Sequence, residues 1–530
     1  MPEEREDMRA GSVPGEPDPA TDRRHQPHAG PAPGDPEPAR TDRRHRPQAG
    51  SAPGEPEPAR SGLRRLPREW ARRLRGHRWF LAVLALGTAL RVLAMLGYRP
   101  ALWFPDSYTY IVTVFRPRPD LVRPAGYSIF LKLLEPLHSF LAVAAVQHLL
   151  GLATGVLVYR AARRAPRWAA TLAAVPVLLD AYQVELEHLL VSDTLFMFLV
   201  VAAVALSTTR RPATVVAIGL LLAAATLTRT VGQPLIVVLA AWFVLRRRIR
   251  WTGLLVAAAL VPIVAYAAWF HATYQRVGLV GANGVFLYAR TMSFADCARM
   301  DPPPDLRVLC DPRPPDRRPP SQEYIWAEDS PLVLLPGITF SKANDDLAGR
   351  FAMLAIRRQP LDYAASVLAE LGRTFRWDRP VYPDAEIYGY YQFPAAPPEP
   401  PGRYPAQVGA EYAKLYEQGA IGTEIVEPYS GWLRAYQSMV RLPGLALLGV
   451  LLVPPVAAAL RRRGGPRAAA TATPAAAPAW LVPWSTAVVL LITPAAAAEF
   501  DYRYVLPAVP LACLAAALSI RPDVRRQSGS

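Results

Sequence analysis

Long apolar runs separated by short arginine-rich breaks dominate the chain from residue 79 onward. The runs lie at 79–98, 139–159, 168–186, 189–208, 213–229, 231–246, 251–273, 439–460, 478–497 and 504–520. A helix needs about 20 apolar residues to cross a hydrocarbon core of roughly 30 Å, and these runs reach or approach that length. Two polar stretches interrupt the pattern, at 1–62 and 274–435. The pattern predicts an all-α polytopic membrane protein with about ten transmembrane helices and one large insert. The run at 168–186 is the weakest, because it carries Pro176, Asp180, Gln183 and Glu185.

Charge sets the expected orientation. The chain has 59 Lys+Arg against 43 Asp+Glu, a net charge of +16. The short segments 64–78, 160–167, 210–211, 246–250, 461–467 and 521–526 hold 24 arginines against Glu69 and Asp523, a net +22. The basicity therefore belongs to connectors beside apolar runs, as the positive-inside rule requires, and does not imply nucleic-acid binding. Ten crossings put every one of these connectors on the cytoplasmic side. Both termini are then cytoplasmic, and 99–138 and 274–435 lie outside a cell membrane.

Five segments follow. Residues 1–62 are built from Pro, Gly, Ala, Arg and acids, and a repeat returns Thr21-Asp22-Arg23-Arg24-His25 as Thr41-Asp42-Arg43-Arg44-His45. Such a stretch lacks the apolar residues to offset its ordering entropy, so a disordered cytoplasmic tail is expected. No secretory signal pattern opens it, and the first apolar helix serves as an uncleaved anchor. Residues 63–273 hold about seven helices, 274–435 form the extracytoplasmic insert, 436–520 hold about three helices, and 521–530 end the chain inside. In the insert, 302–320 and 394–405 read as proline-rich loops, and 342–378 as helical. Cys297 and Cys310, an even pair in a segment placed outside, suggest a disulfide.

Candidate chemistry clusters in the first outer loop. It reads Trp103-Phe104-Pro105-Asp106-Ser107-Tyr108-Thr109-Tyr110, then Arg123-Pro124-Ala125-Gly126-Tyr127. Partial desolvation among these aromatics would raise the Asp106 pKa and make it a better base. Asp106 equally suits the N-cap of a short interfacial helix. Arg229 and Arg503 fall at outer ends of runs, against the positive-inside bias. They suit forked binding of a phosphate, or else snorkelling or pairing with a local acid such as Asp501. Arg123 is a third, weaker candidate. Arg91, inside the first run, should face the bundle. His188 near Glu185 and Glu187 reads as an interfacial polar cluster before it reads as a metal site, and no metal is assigned.

These stretches, in order, resemble the GT-C superfamily of membrane glycosyltransferases. The first loop, Leu190-Val191-Ser192-Asp193-Thr194, Leu227-Thr228-Arg229-Thr230, and Asp501-Tyr502-Arg503-Tyr504-Val505-Leu506-Pro507 look like the branch that uses polyprenyl-phosphate sugars. That branch includes protein O-mannosyltransferases (glycosyltransferase family 39) and lipid A aminoarabinose transferases. The resemblance covers about 79–273 and 480–520. It implies a GT-C-type bundle that transfers a sugar, with inversion, from a polyprenyl-phosphate donor to an extracytoplasmic acceptor: a protein, a lipid or a cell-wall glycan. Asp106 would be the base, and Arg123, Arg229 and Arg503 would hold the lipid phosphate. The family often has two adjacent acids in the first loop where this chain has one. A second acid would come from Glu185, Glu187 or Asp193. No cofactor follows from the residues, although some relatives use a divalent cation.

Two rivals make different demands. A secondary transporter or lipid flippase calls for paired broken helices in two related halves, and the sequence has no such repeat. A non-catalytic membrane scaffold would act through the 1–62 tail.

Overall fold

The computed structural model describes residues 75–209, 211–398, 402, 404–463 and 477–520, all within the unit Pro67–Ser530. The 1–62 repeat and the 521–530 end lie outside the described residues.

Each apolar run coincides with a helix. Among the described residues five helices are long and apolar enough to cross a membrane: Arg78–Gly97, Phe140–Ala161, Ile249–Tyr274, Gly444–Arg461 and Tyr502–Ser519. Four shorter apolar helices follow the remaining runs, Asp193–Leu206, Pro212–Thr228, Thr230–Leu245 and Leu481–Ala497. The chain is thus an all-α, multi-pass membrane protein. The doubtful run at 168–186 is a broken helix, Arg167–Leu179 and Ala181–His188, bent by 50°. Asp180 makes the bend: its Oδ1 accepts the N–H groups of Tyr182 and Gln183 at 2.9 and 3.3 Å, and its Oδ2 that of Leu442 at 2.6 Å. Four donors go unbonded at any helix start, and an acid placed there satisfies some of them.

The bundle core is mostly aliphatic, with Val158, Val200, Leu222, Leu235 and Leu514 buried together with Trp242. The helix Pro212–Thr228 packs between Asp193–Leu206 and Ile249–Tyr274. The insert builds a second core of its own, in which Val285 and Tyr288 of helix Asn283–Thr291 meet Phe351 and Ala355 of Lys342–Arg358. Cys297 and Cys310 are joined by a disulfide beside this core. The 302–320 stretch holds only two single turns, Arg307–Leu309 and Pro315–Arg317. The 342–378 stretch supplies helices Lys342–Arg358 and Pro360–Arg373.

The insert then returns to the bundle. Its helix Tyr404–Glu417 lies on the first-loop helix Pro105–Phe115. Contact is so close that a Cβ on Gly409 would stand 2.4 Å from Tyr108 Cβ. One departure from an all-helical reading ties the ends together: Tyr98 and Arg99 pair antiparallel with Ile425 and Glu424. The first loop is therefore held between the bundle and the insert.

Candidate active site

Local chemistry aims Asp106. Pro105 opens the helix Pro105–Phe115, where its missing N–H costs nothing. The Ser107 hydroxyl accepts the Phe104 N–H at 3.0 Å and donates to the Leu190 carbonyl at 2.8 Å. Leu102 N–H bonds His188 O, and Leu190 N–H bonds Leu102 O, both at 3.0 Å, which lashes the loop to the mouth of the bundle. Asp106 occupies the first turn, where the helix dipole favours a carboxylate. It does not cap the helix. Its Oδ1 takes the Arg123 guanidinium at 2.5 Å and its Oδ2 that of Arg503 at 3.3 Å.

Each arginine has its own support. Asp120 Oδ1 accepts the N–H groups of Val122 and Arg123, both at 2.8 Å, and so turns the chain into the Pro124-Ala125-Gly126 corner. A Cβ on Gly126 would lie 2.4 Å from the Leu227 carbonyl oxygen, so only glycine lets this corner touch the end of helix Pro212–Thr228. That contact sets the Arg123 corner against the segment that carries Arg229, and both arginines line one cavity. Arg229 is extended just past the helix end and pairs with the fully buried carboxylate of Asp193. It also lies over the Tyr504 ring at 5.1 Å. Arg503 sits in the single turn Tyr502–Tyr504, capped by Asp501. Its Nε lies 3.2 Å from Asp501 Oδ2, and its guanidinium faces the Phe104 ring at 4.4 Å. The Tyr391 hydroxyl donates to Asp501 at 2.7 Å.

These groups line a cavity of about 880 Å³. Asp106, Arg123, Arg229 and Arg503 all open onto it, and the insert supplies the opposite wall through Arg290, Gln322, Trp326 and Glu386. Three guanidiniums face three carboxylates, Asp106, Asp193 and Asp501. The expected upward shift of Asp106 is reversed. Burial pushes its carboxyl up, but Arg123 and Arg503 outweigh that and hold it at about 2. Two cations within contact distance favour the ionised form more than partial burial opposes it.

The remaining acids divide. Asp193 enters the site through Arg229. Glu187 does not line the cavity; its two oxygens take Arg91 Nε and Nη2, each at 2.7 Å. Arg91 spends its other donors on the carbonyls of Gly87, Leu178 and Val177, so the first-run arginine is a buried clamp of the bundle. His148 continues the chain, 3.2 Å from Glu187 and 3.0 Å from His188, whose Nε2 meets the Tyr98 carbonyl at 2.6 Å. Glu185 is also buried away from the cavity wall, with no hydrogen bond to its Oε1 among the described residues. The His188 cluster is thus a structural network. No group of three or more His, Cys, Asp or Glu side chains placed to hold a metal occurs among the described residues.

Glu499 and Arg290 are among the wall residues that escaped the sequence reading. Glu499 lies in the same short connector as Asp501, so an acid between two apolar runs was a usable signal. Arg290 is one arginine among many in the insert, and nothing in its sequence neighbourhood marks it.

No family model matches the chain, and no curated protein matches its sequence. Solved structures give distant likenesses. The oligosaccharyltransferase of Archaeoglobus fulgidus, tethered to an acceptor peptide, is 13% identical with a TM-score of 0.39, covering 83% of this chain and 49% of that one. ArnT of Cupriavidus metallidurans, bound to undecaprenyl phosphate, is 14% identical with a TM-score of 0.31, covering 83% and 77%. The Pmt1-Pmt2 protein O-mannosyltransferase complex of S. cerevisiae, bound to the sugar donor, is 16% identical with a TM-score of 0.29, covering 45% and 37%. The chain thus spans about half the length of the oligosaccharyltransferase and less of the O-mannosyltransferase. At TM-scores below 0.5 these likenesses decide nothing about the chemistry.

Proposed function

We propose that this chain is an integral membrane glycosyltransferase that moves a sugar from a polyprenyl-phosphate donor to an extracytoplasmic acceptor. The observation that carries the reading is the convergence of Asp106, Arg123, Arg229 and Arg503 on one cavity where the bundle meets the insert. Arginines at the ends of apolar helices suit a lipid phosphate, whose tail stays in the bilayer while its head meets fixed cations.

The charge arithmetic suits transfer. The donor is a phosphodiester with one negative charge, and its leaving group is a phosphate monoester approaching two. Guanidiniums already in place stabilise that developing charge without reorganising at the moment of reaction. Arrival of the phosphate draws Arg123 and Arg503 away from Asp106. Asp106 then loses the cations that held it near 2, and its basicity rises as the donor binds. It takes the acceptor's hydroxyl proton while the acceptor oxygen bonds the sugar C1. The C1–O bond to phosphate breaks with its electron pair on the phosphate. One displacement of this kind inverts the anomeric centre. The insert, as the opposite wall, selects the acceptor.

Transfer from radiolabelled polyprenyl-phosphate sugars in membranes tests the reading. Wild type moves label to a new product, and Asp106→Asn, folded and membrane-inserted, does not. Equal transfer by the variant overturns the role of Asp106. Deleting residues 1–62 leaves transfer intact, whereas a scaffold acting through that tail would lose its effect.

A further inference from the structure

The cavity has a second polar end, built around Glu499, which shares no hydrogen bond or ion pair with Asp106 among the described residues. Glu499 lines it, four residues before Arg503. A chain of four residues spans at most roughly 14 Å, so the two positions belong to one binding space. Glu499 Oε1 stands 3.2 Å from the Tyr382 hydroxyl, and that hydroxyl is also 3.3 Å from Glu370 Oε1. The Gln322 N–H donates to Glu499 Oε2 at 3.4 Å, and the Phe500 N–H to Glu370 Oε2 at 2.7 Å. Across the same end lies Arg290, 1% exposed. It donates to the Ala495 carbonyl at 3.1 Å and to the Ser293 and Ser366 hydroxyls at 2.8 and 3.1 Å. Among the described residues no carboxylate forms an ion pair with it, unlike the three arginines at the phosphate end.

Two carboxyls can both bond one hydroxyl only if one of them is protonated, since Tyr382 has a single proton to give. Burial and the neighbouring Glu370 push the Glu499 carboxyl up to about 7. Near neutral pH it therefore both donates and accepts. Beside it stand a buried guanidinium that only donates and the apolar faces of Trp326 and Phe500. A mostly apolar wall with a few convergent donors and acceptors orients a small polar ligand. Adjacent hydroxyls on a ring both donate and accept and suit that mixture, whereas an ionised phosphodiester only accepts and is met by donors and positive charge.

We propose that this end is the subsite for the hydroxyl groups of the transferred sugar, with Glu499 and Arg290 as its specificity-determining residues. The inference rests on the reading of the cavity as a transfer site, and assigns its two ends: phosphate at Arg123–Arg229–Arg503, sugar at Glu499–Arg290.

Equilibrium binding to the full chain in vesicles tests it, with bare polyprenyl phosphate and a panel of polyprenyl-phosphate hexoses and pentoses as probes. Wild type binds at least one sugar-bearing lipid about tenfold or more tighter than the bare lipid, the scale of one good charge-assisted hydrogen bond. Glu499→Gln and Arg290→Gln each erase most of that preference and leave bare-lipid binding unchanged. Arg503→Gln weakens both kinds of lipid. The subsite alone is overturned if wild type shows no preference for any sugar. It is equally overturned if Glu499→Gln and Arg290→Gln keep the preference, or weaken both kinds of lipid equally as a structural fault would. Unchanged binding of both by Arg503→Gln overturns the phosphate assignment, and this inference with it.

Discussion

Arg503 reaches Asp106 at 3.3 Å across 397 positions of sequence. The contact joins the start of the last apolar helix to the loop after the first, so the site exists only when these two distant segments are packed together. A cation brought from so far also sets the resting state of the carboxylate.

Asp106 is accordingly expected to stay ionised down to about pH 2 in the resting protein. Because its folded pKa is depressed, its ion pairs stabilise the fold fully above the ordinary carboxylate range and are lost as pH falls from about 4 toward 2. Arg123→Gln removes one cation and raises the pKa by about one unit or more. The infrared carboxyl band that disappears in Asp106→Asn reports the titration. An unshifted band in Arg123→Gln would assign the depression to Arg503 alone.

Asp193 is fully buried beneath Arg229. Arg229→Leu leaves that carboxylate unpaired, and a buried pair broken on one side costs about 3–5 kcal/mol. Thermal unfolding of the detergent-solubilised protein should show a clear loss in Arg229→Leu and partial recovery in Arg229→Leu with Asp193→Asn. Neither variant should hold the donor phosphate as wild type does.

Gly126 is a steric test of the same neighbourhood. Gly126→Ala forces a methyl to within 2.4 Å of the Leu227 oxygen, so the Arg123 corner must retreat from Arg229. Overpacking of this kind costs about 1–3 kcal/mol. Donor KM should rise with the loss of stability. A variant with wild-type KM and Tm would mean that the two arginines do not depend on this contact.

Glu187 supplies the contrast. Glu187→Ala strands Arg91 in the bundle and should cost about 3–5 kcal/mol, read as a lowered Tm. Transfer per folded molecule should be unchanged, because Glu187 does not line the cavity. A selective loss of turnover would restore it as a second catalytic acid.

Sequence and structure divide this protein along a physical line. Burial of apolar helices in lipid is a local demand: each segment must satisfy its own backbone and cover its own length. The ten helical runs and the weak point at Asp180 were therefore legible residue by residue. Arg229 and Arg503, which stand where a charge needs a reason, reach one cavity with Asp106. Pairing is not local. Whether Glu187 served the cavity or Arg91 depended on which helix faces met, and both lie in runs whose apolar pattern leaves rotation undetermined. The same holds for the Asp106 pKa: the burial that raises it is read from the adjacent aromatics, but the two cations that outweigh burial sit 17 and 397 positions away and reach it only in the folded chain. Arg290 lies further still from any sequence signature, and Glu499 is marked only by its place in the connector before Asp501. They become a pair only because the insert folds back over the bundle and closes the cavity between them.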